Sequence, residues 1–481
     1  MTSDDAIENV IGRFGKYQTW ILVLISIGRL PTEFQLTNVV FLLPNTDFIC
    51  LDEGIQNATN HCPCTQPEYD RSTIVESLIS EWDLICDKKY LASLTQSMLQ
   101  VGILTGSLFY GFISDRYGRR IAIVLALFCE ALFTMISAFA TGYWMFLIFR
   151  ILIGTALGGT MLCCYVFLIE LSGKSFRPYL IGLHELSYVT GYFILPIIAY
   201  FLREWRDLQL ALSVPWLLVI VIYWLIPESP RWLITVGKTK EAVYVLTHIA
   251  KKNNRPIQDI EAIVDQVRCD TIKDHQKQTG SYQDLFKTPK VRFYTFITSL
   301  IWMFCSLIFF GVNQYIGQLQ GNVYLNVMIS AASLLPALVL IVTGTLYLKR
   351  RTTIFATFSI AGASLLIFIF VYEQSLILAF AIIGQIGAYS SFILVYLFTS
   401  EVFPTIVRNS AMGFASTFGR VGGFVAPFIV NIGIEWVSIL IFSSLAFVSA
   451  SLCYLLPETK NITLLNTIEQ TEKPNDQIEQ R

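Results

Sequence analysis

Twelve long apolar runs, parted by short polar gaps, leave this chain few folds to adopt. They cover roughly residues 18–42, 90–114, 120–140, 143–168, 178–201, 208–226, 293–315, 322–348, 353–372, 375–399, 409–432 and 434–456. About 20 apolar residues in a helix cross a hydrocarbon core of ~30 Å. A spanning segment must also satisfy its own backbone polar groups, so each run reads as a helix. Only 14% of the 481 residues are charged and 54% are hydrophobic. A soluble domain carries about 25% charge, and this composition excludes a water-soluble enzyme of such length. The net charge of −1 offers nothing to nucleic acid. The opening "MTSDDAIENVIGRFGKYQ" is polar and acidic, unlike the basic-then-apolar layout of a cleaved signal. The first run is therefore expected to stay as a span, in an all-α membrane protein with twelve transmembrane helices.

Lysine and arginine cluster in alternate gaps, as the positive-inside bias requires. One set holds Arg116, Arg119 and Arg120, then Lys174 and Arg177, the 227–292 segment, and Lys349 to Arg351. The opposite gaps are sparse, with "REWRD" at 203–207 the one mildly basic exception. Both termini are thereby expected in the cytoplasm. The large outer loop, 43–89, contains Cys50, Cys62, Cys64 and Cys86. In an oxidising compartment these four suggest two disulfides, with three pairings open. Asn57 in "NAT" is a glycosylation sequon on the same outer side, whereas Asn461 in "NIT" falls on the inner side and should stay unmodified.

Comparing the halves exposes a repeat. Arg119 and Arg120 recur as Arg350 and Arg351, and Glu170–Arg177 (E-x6-R) recurs as Glu401–Arg408, each at a spacing of 231. "PESPR" from Pro227 recurs as "PETK" from Pro457, at 230. Three signals at nearly one spacing imply two parallel six-helix halves, an arrangement in which alternating-access transporters hold solute between repeats. The expected domains are an N-terminal half over 1–226, a cytoplasmic bridge over 227–292, a C-terminal half over 293–456 and a tail over 457–481. The bridge has helical periodicity interrupted at Pro256 and is expected to form short amphipathic helices. The tail's polar end "QTEKPNDQIEQR" is expected to be disordered.

"GFISDRYGRR", from Gly111 to Arg120, fits the G-x-x-x-D-R-x-G-R-R signature of the major facilitator superfamily. More narrowly, the chain resembles its organic cation, organic anion and carnitine transporters, through "EWDLICD" (81–87), "REWRDLQLALSVPW" (203–216), "PESPRWL" (227–233), "GNVYLN" (321–326) and "SEVFPTIVRNSAMGF" (400–414). The resemblance implies the major facilitator fold and an inner gate at the first motif. Asp115 can favour a helix N-terminus. Arg116, Arg119 and Arg120 can bridge to Glu170 and Glu401, with Gly111 and Gly118 permitting close packing and tight turning. Arg177 and Arg408 complete the repeated gate motif. The second copy looks damaged, because Leu346 stands where Asp115 lies and Lys349 where Gly118 lies.

An ionisable group deep in a span is costly and usually has a partner or a task. Arg420 lies twelve residues past Arg408, about 18 Å along a helix and close to the bilayer midplane. By resemblance this position discriminates substrates, with arginine in anion and carnitine carriers and aspartate common in cation carriers. Arg29 and Glu33 are i,i+4 and can neutralise each other, and a Glu130–Arg150 pair is expected to join two further spans. His184 and Glu185 are candidates for carrying a proton. Resemblance also places Phe309, Phe310, Phe392 and Tyr396 among cavity aromatics, with Tyr324, Gln35 and Asn38 as further substrate-binding candidates. Anion carriers often have a lysine just after Pro-Ala in the eighth span, where this chain has Leu338.

These readings describe a plasma-membrane, multi-pass transporter of small organic ions, with organic anions or carnitine-like zwitterions preferred. An organic cation transporter and a non-transporting receptor or scaffold are the alternatives, the latter favoured by the altered second gate. The chain contains no GxxxxGK[ST] loop. Transport is therefore expected to be facilitated, exchanging with a counter-solute, or driven by an H⁺ or Na⁺ gradient, without a cofactor or enzymatic step.

Overall fold

The computed structural model describes residues 3–52, 58–275, 282–460 and 468–472. Ten helices within them are long and apolar enough to cross a membrane. They are Cys86–Tyr117, Arg119–Ser137, Tyr143–Leu171, Trp205–Leu225, Pro289–Gln318, Val323–Tyr347, Arg350–Phe368, Gln374–Val402, Thr405–Val430 and Trp436–Cys453, corresponding to the second to fourth, sixth and seventh to twelfth expected spans. Several extend beyond the apolar run that announced them, as Tyr143–Leu171 and Gln374–Val402 do.

The first and fifth spans are helical in a less regular way. The first is broken into Lys16–Gly28, Leu30–Thr37 and Val39–Leu42, with interruptions at Arg29 and Asn38. Pro31 is the second residue of the middle piece, in the first turn, where its missing N–H removes no bond within that piece. The fifth is a 25-residue helix, Arg177–Phe201, that contains Pro196. The sixth changes from α-helix at Trp205–Ala211 to a 3-10 stretch at Val214–Val221. Pro215 sits at that change and cannot donate to a continuing α-helical ladder.

Two compact units share the chain without following its order: one takes 1–38 and 101–277, the other 39–100 and 278–481. In the first unit, the second and fourth spans approach through glycines. A side chain at Gly102 would lie 2.8 Å from the Cα of Gly154, and one at Gly106 would collide with the backbone of Thr155. Small residues are what let helices pack closely where lipid supplies no hydrophobic drive between them. The bridge folds as Pro230–Thr235, Thr239–Lys252 and Ile260–His275, as its periodicity predicts. Its Leu246, Ile249 and Val264 are buried together with Ile7 and Ile11 of an N-terminal helix, Ser3–Ile11, absent from the sequence expectation.

The second unit has its core along the seventh, ninth, tenth and eleventh spans, with Ile308, Phe358, Phe398 and Val407 buried. The outer loop belongs to this unit. There the strand Phe48–Cys50 lies between Ala58–Thr59 and Pro67–Tyr69, antiparallel to both. Of the three open pairings the structure adopts Cys50–Cys64 and Cys62–Cys86. Asn57 and Asn461 lie outside the described residues. The tail expectation needs one correction: Ile468–Glu472 is a helical turn, and Glu472 accepts from the Lys290 backbone N–H at 2.9 Å. Replacing Gly106 with Leu should prevent the second and fourth spans from seating. Overpacking of this kind costs about 1–3 kcal/mol, which thermal unfolding of the detergent-purified variant would register as a clear loss of stability.

Candidate functional site

One end of the first unit holds an ionic cluster assembled from three separated stretches of chain. Gly118 turns between the second and third spans with φ +113°, a conformation open to glycine. The next residue, Arg119, reaches Asp115 Oδ1 at 2.6 Å through Nη1 and Glu170 Oε1 at 2.9 Å through Nη2. Its backbone N–H and that of Arg120 donate to Glu228 at 2.9 and 3.2 Å. Glu228 therefore caps the third span, the role expected of Asp115, whose carboxylate is taken by the Arg119 side chain. Burial pushes the Glu228 carboxyl above its ordinary value, opposed by the backbone N–H groups of Ser229, Arg120 and Arg119. Arg120 lies over the Tyr223 ring at 4.3 Å.

The second unit repeats this cluster, contrary to the damage that Leu346 and Lys349 imply. Arg350 Nε donates to Glu401 at 3.2 Å, and the N–H groups of Arg350 and Arg351 donate to Glu458 at 2.8 and 3.2 Å. Arg351 lies over the Tyr454 ring at 5.0 Å. The missing aspartate is replaced by backbone acceptors. Arg350 Nη1 donates to the Thr345 carbonyl at 2.9 Å, and Lys460 Nζ donates to the carbonyls of Leu346 and Leu348 at 2.7 and 2.8 Å. The glycine is dispensable because Lys349 has φ −69°, open to any residue. Glu401 is thus held by Arg350 and by the Thr459 hydroxyl at 2.6 Å.

The remaining gate residues occupy plainer positions. Arg116 is exposed, and Arg177 is half-buried at the start of the fifth span. Gly111 sets a potential side chain 3.3 Å from Leu162. Arg408 reaches Thr405 Oγ1 at 3.4 Å.

A polar network lies buried within the first unit. Arg29 pairs with Glu33 at 2.7 Å, as their spacing predicts, and also contacts His184 Nε2. Glu130 and Arg150 do not pair. Glu130 Oε2 lies 2.8 Å from Thr32 Oγ1 and 3.1 Å from Thr160 Oγ1. Arg150 Nη1 donates to Gln35 Oε1 at 3.0 Å. Thr160 is ten residues beyond Arg150 on the same helix, about 15 Å along its axis, so the two charged groups sit at different depths. Gln35 donates onward to Gln209 at 2.8 Å, and Asn38 donates to Gln35 at 3.0 Å. Both amides are fully buried in this network, which corrects their expected place on a substrate-facing surface.

The second unit gathers aromatic rings against the helix that carries Arg420. Phe309 stacks on Phe392 at 4.9 Å, Phe310 meets Phe392 edge-on at 6.3 Å, and Tyr396 meets Phe392 at 5.5 Å. The sequence reading missed Trp302, 4.2 Å from Tyr396, and Tyr389, 5.8 Å from Phe309. Gly419 packs against Trp302, and Gly423 against Gln100 and Phe310. Arg420 stands between those glycines and donates to Gln100 Oε1 at 3.5 Å. Tyr324 is placed elsewhere. Its hydroxyl donates to the Thr73 carbonyl at 3.0 Å and its ring stacks on Phe41, so it ties down the outer segment.

A profile described as "Sugar (and other) transporter" matches residues 52–470. The chain is 31% identical to "Organic cation transporter protein" of Drosophila melanogaster, covering 98% of this chain and 95% of that protein. It is 33% identical to "Organic cation/carnitine transporter 2" of Mus musculus, covering 98% and 94%. In fold it is similar to the xylose transporter XylE of E. coli in an inward-open conformation, with TM-score 0.67, 16% identity and coverage of 93% of this chain and 98% of that one. The chain belongs to the sugar (and other) transporter family of the major facilitator superfamily, within its organic-ion transporters. It is a multi-pass membrane transporter and not an enzyme.

The paired clusters differ in one testable respect. Arg119→Ala and Arg350→Ala should destabilise the purified protein comparably, by about 1.5–3 kcal/mol, the range for hydrogen bonds to charged groups. Asp115→Asn should cost less than ~1 kcal/mol, because that carboxylate is 78% exposed and exposed ion pairs contribute little. Thermal unfolding of the three variants measures the ordering.

Proposed function

We propose that the protein moves carboxylate-bearing organic zwitterions of the carnitine type, or organic anions, across the plasma membrane by alternating access. The observation that carries this reading is Arg420, a half-buried guanidinium with a single long contact to a neutral amide, on a helix whose Gly419 and Gly423 pack against Trp302 and Phe310 of the aromatic cluster. A guanidinium can hold a carboxylate through two parallel hydrogen bonds. The aromatic faces suit a quaternary ammonium at the other end of the same solute. Leu338, where anion carriers often place a second cation, favours the zwitterion over a strongly anionic solute.

An organic cation is the second reading, favoured by the printed names of the Drosophila melanogaster relatives and by the aromatic cluster. Arg420 opposes it, because like charge in a low-dielectric setting repels. The receptor or scaffold alternative loses its main argument, since the second gate cluster keeps its glutamates and arginines engaged.

Uptake into liposomes of labelled carnitine, a labelled aromatic carboxylate and a labelled tetraalkylammonium separates these readings. Arg420→Ala should lower carboxylate uptake at least tenfold, as expected for ~1.5–3 kcal/mol of charge-assisted hydrogen bonding, while surface abundance is maintained. Unchanged kinetics across the panel would refute the binding role. Asn57→Gln should remove one glycan from the cell-expressed protein, seen as a mobility shift, and Asn461→Gln should leave mobility unchanged. That pair of results also tests the cytoplasmic placement of the termini.

A further inference from the structure

We infer that Ser175 is a phosphorylation site, and that a phosphate there unlatches the N-terminal helix Ser3–Ile11 from the loop between the fourth and fifth spans. The inference rests on the cytoplasmic placement proposed for this loop, on the side of the membrane where ATP is abundant.

Three contacts fasten the N-terminal segment to that loop. Glu8 accepts from the Ser175 hydroxyl through Oε1, and from the Ser175 backbone N–H through Oε2 at 3.1 Å. The Gly173 N–H donates to the Arg13 carbonyl at 3.0 Å. The Phe14 ring stacks on Phe176 at 4.2 Å. The fit is close, because a side chain at Gly173 would lie 2.9 Å from the Glu8 carboxyl carbon. The Ser175 hydroxyl is the leading cause that holds the Glu8 carboxyl below its ordinary value, so the group is a carboxylate at neutral pH. Ile7 and Ile11 supply the apolar half of the same docking, against the bridge helices.

Position and charge single out this serine. Ser172, three residues earlier, is fully buried and donates to the Ile169 carbonyl at 3.0 Å. Ser175 is exposed and lies in a turn, ahead of the helix that begins at Arg177. In "GKSFR" it has Lys174 directly before it and Arg177 two residues after. Arg13 acts on the same Glu8 carboxyl. Basic groups on both sides complement the acidic groove of a basophilic serine/threonine kinase, as opposite potentials do at other interfaces.

The transfer balances. The Ser175 hydroxyl gives its proton to the kinase's base, and Oγ bonds to the γ-phosphorus of ATP. The old P–O bond breaks with its electron pair leaving on ADP. Glu8 thereby loses the hydrogen it had accepted from Oγ. In its place stands a group of about −1.5 to −2 charge, in contact with a carboxylate. The phosphate meets a better setting on its own side, since span five starts two residues on and a helix N-terminus favours an anion. Glu8 is the partner that gives way. The loop it leaves has Glu170, the holder of Arg119, at one end and Arg177 at the other. Modification therefore acts next to the ionic cluster without breaking any of its contacts.

The test incubates the purified full-length protein with ATP, magnesium and the catalytic domain of a basophilic serine/threonine kinase. Phosphopeptide mapping and amide hydrogen exchange are then read together. Phosphate should appear on the Ser175 peptide and be absent there in Ser175→Ala. Amides of residues 6–14 should exchange at least about fivefold faster once phosphate is attached, as local release from a docking site predicts. Ser175→Asp, which removes the hydroxyl donor and adds a charge, should speed the same amides without kinase. Glu8→Gln keeps an acceptor but removes the opposing charge, so phosphorylation should speed exchange far less in that variant. No phosphate on Ser175, unchanged exchange after modification, or equal acceleration in Glu8→Gln would each overturn the inference. Detergent exposes both faces of the protein, so these results stand apart from sidedness, which the Asn57 and Asn461 variants test.

Discussion

Every feature of this protein answers to one constraint: in a hydrocarbon slab, no backbone or charged group can rely on water for a partner. Helices solve the problem for the backbone. Helix ends and charged side chains remain, and the structure settles them with a small set of reciprocal contacts. Glu228 and Glu458 take the first N–H groups of the third and ninth spans. Arg119 and Arg350 take Glu170 and Glu401. Each group in these clusters satisfies another that would otherwise be left at the membrane edge.

The same constraint gives the repeat its physical meaning. Equivalent contacts recur in both units although the residues making them have diverged. Where the first unit uses Gly118 and Asp115, the second uses an ordinary backbone at Lys349 and a lysine, Lys460, that reaches two carbonyls. Function of this kind depends on which electrostatic demands are met, and several side chains can meet one demand. Arg420 differs from these latches in being lightly engaged. A charged group with unused donor capacity, on a helix packed against aromatic rings, is suited to a ligand, whereas a group saturated by its neighbours is suited to holding helices together.

Much of the architecture was legible because helical period and membrane thickness act on local sequence. Ten of the spans, the bridge helices and the Arg29–Glu33 pair all follow from spacings within one segment. The equivalence of Arg119 with Arg350 was legible because a repeat leaves an arithmetic trace. The "PESPR" and "PETK" offset marked Glu228 and Glu458 as equivalent, yet their capping role stayed hidden. It requires Glu228 to lie against a helix start 109 residues earlier in the chain. Trp302 and Tyr389 were missed for a related reason: aromatic residues are abundant here, and no local pattern separates those that cluster from those that face lipid.

Sequence alone determined that the chain must span a membrane as helices, that it is a duplicated transporter of this family, and which arginines and glutamates recur. These are consequences of apolar length, charge asymmetry and repetition, all written along one dimension. Tertiary structure decided the cysteine pairing, the separation of Glu130 from Arg150, the enclosure of Gln35 and Asn38, and the company Arg420 keeps. The pairing follows the strand arrangement of the outer loop, and the other three depend on the depth at which one helix meets another. That depth is set by close packing of glycines and side chains between segments far apart in the chain, and no spacing within a single segment encodes it.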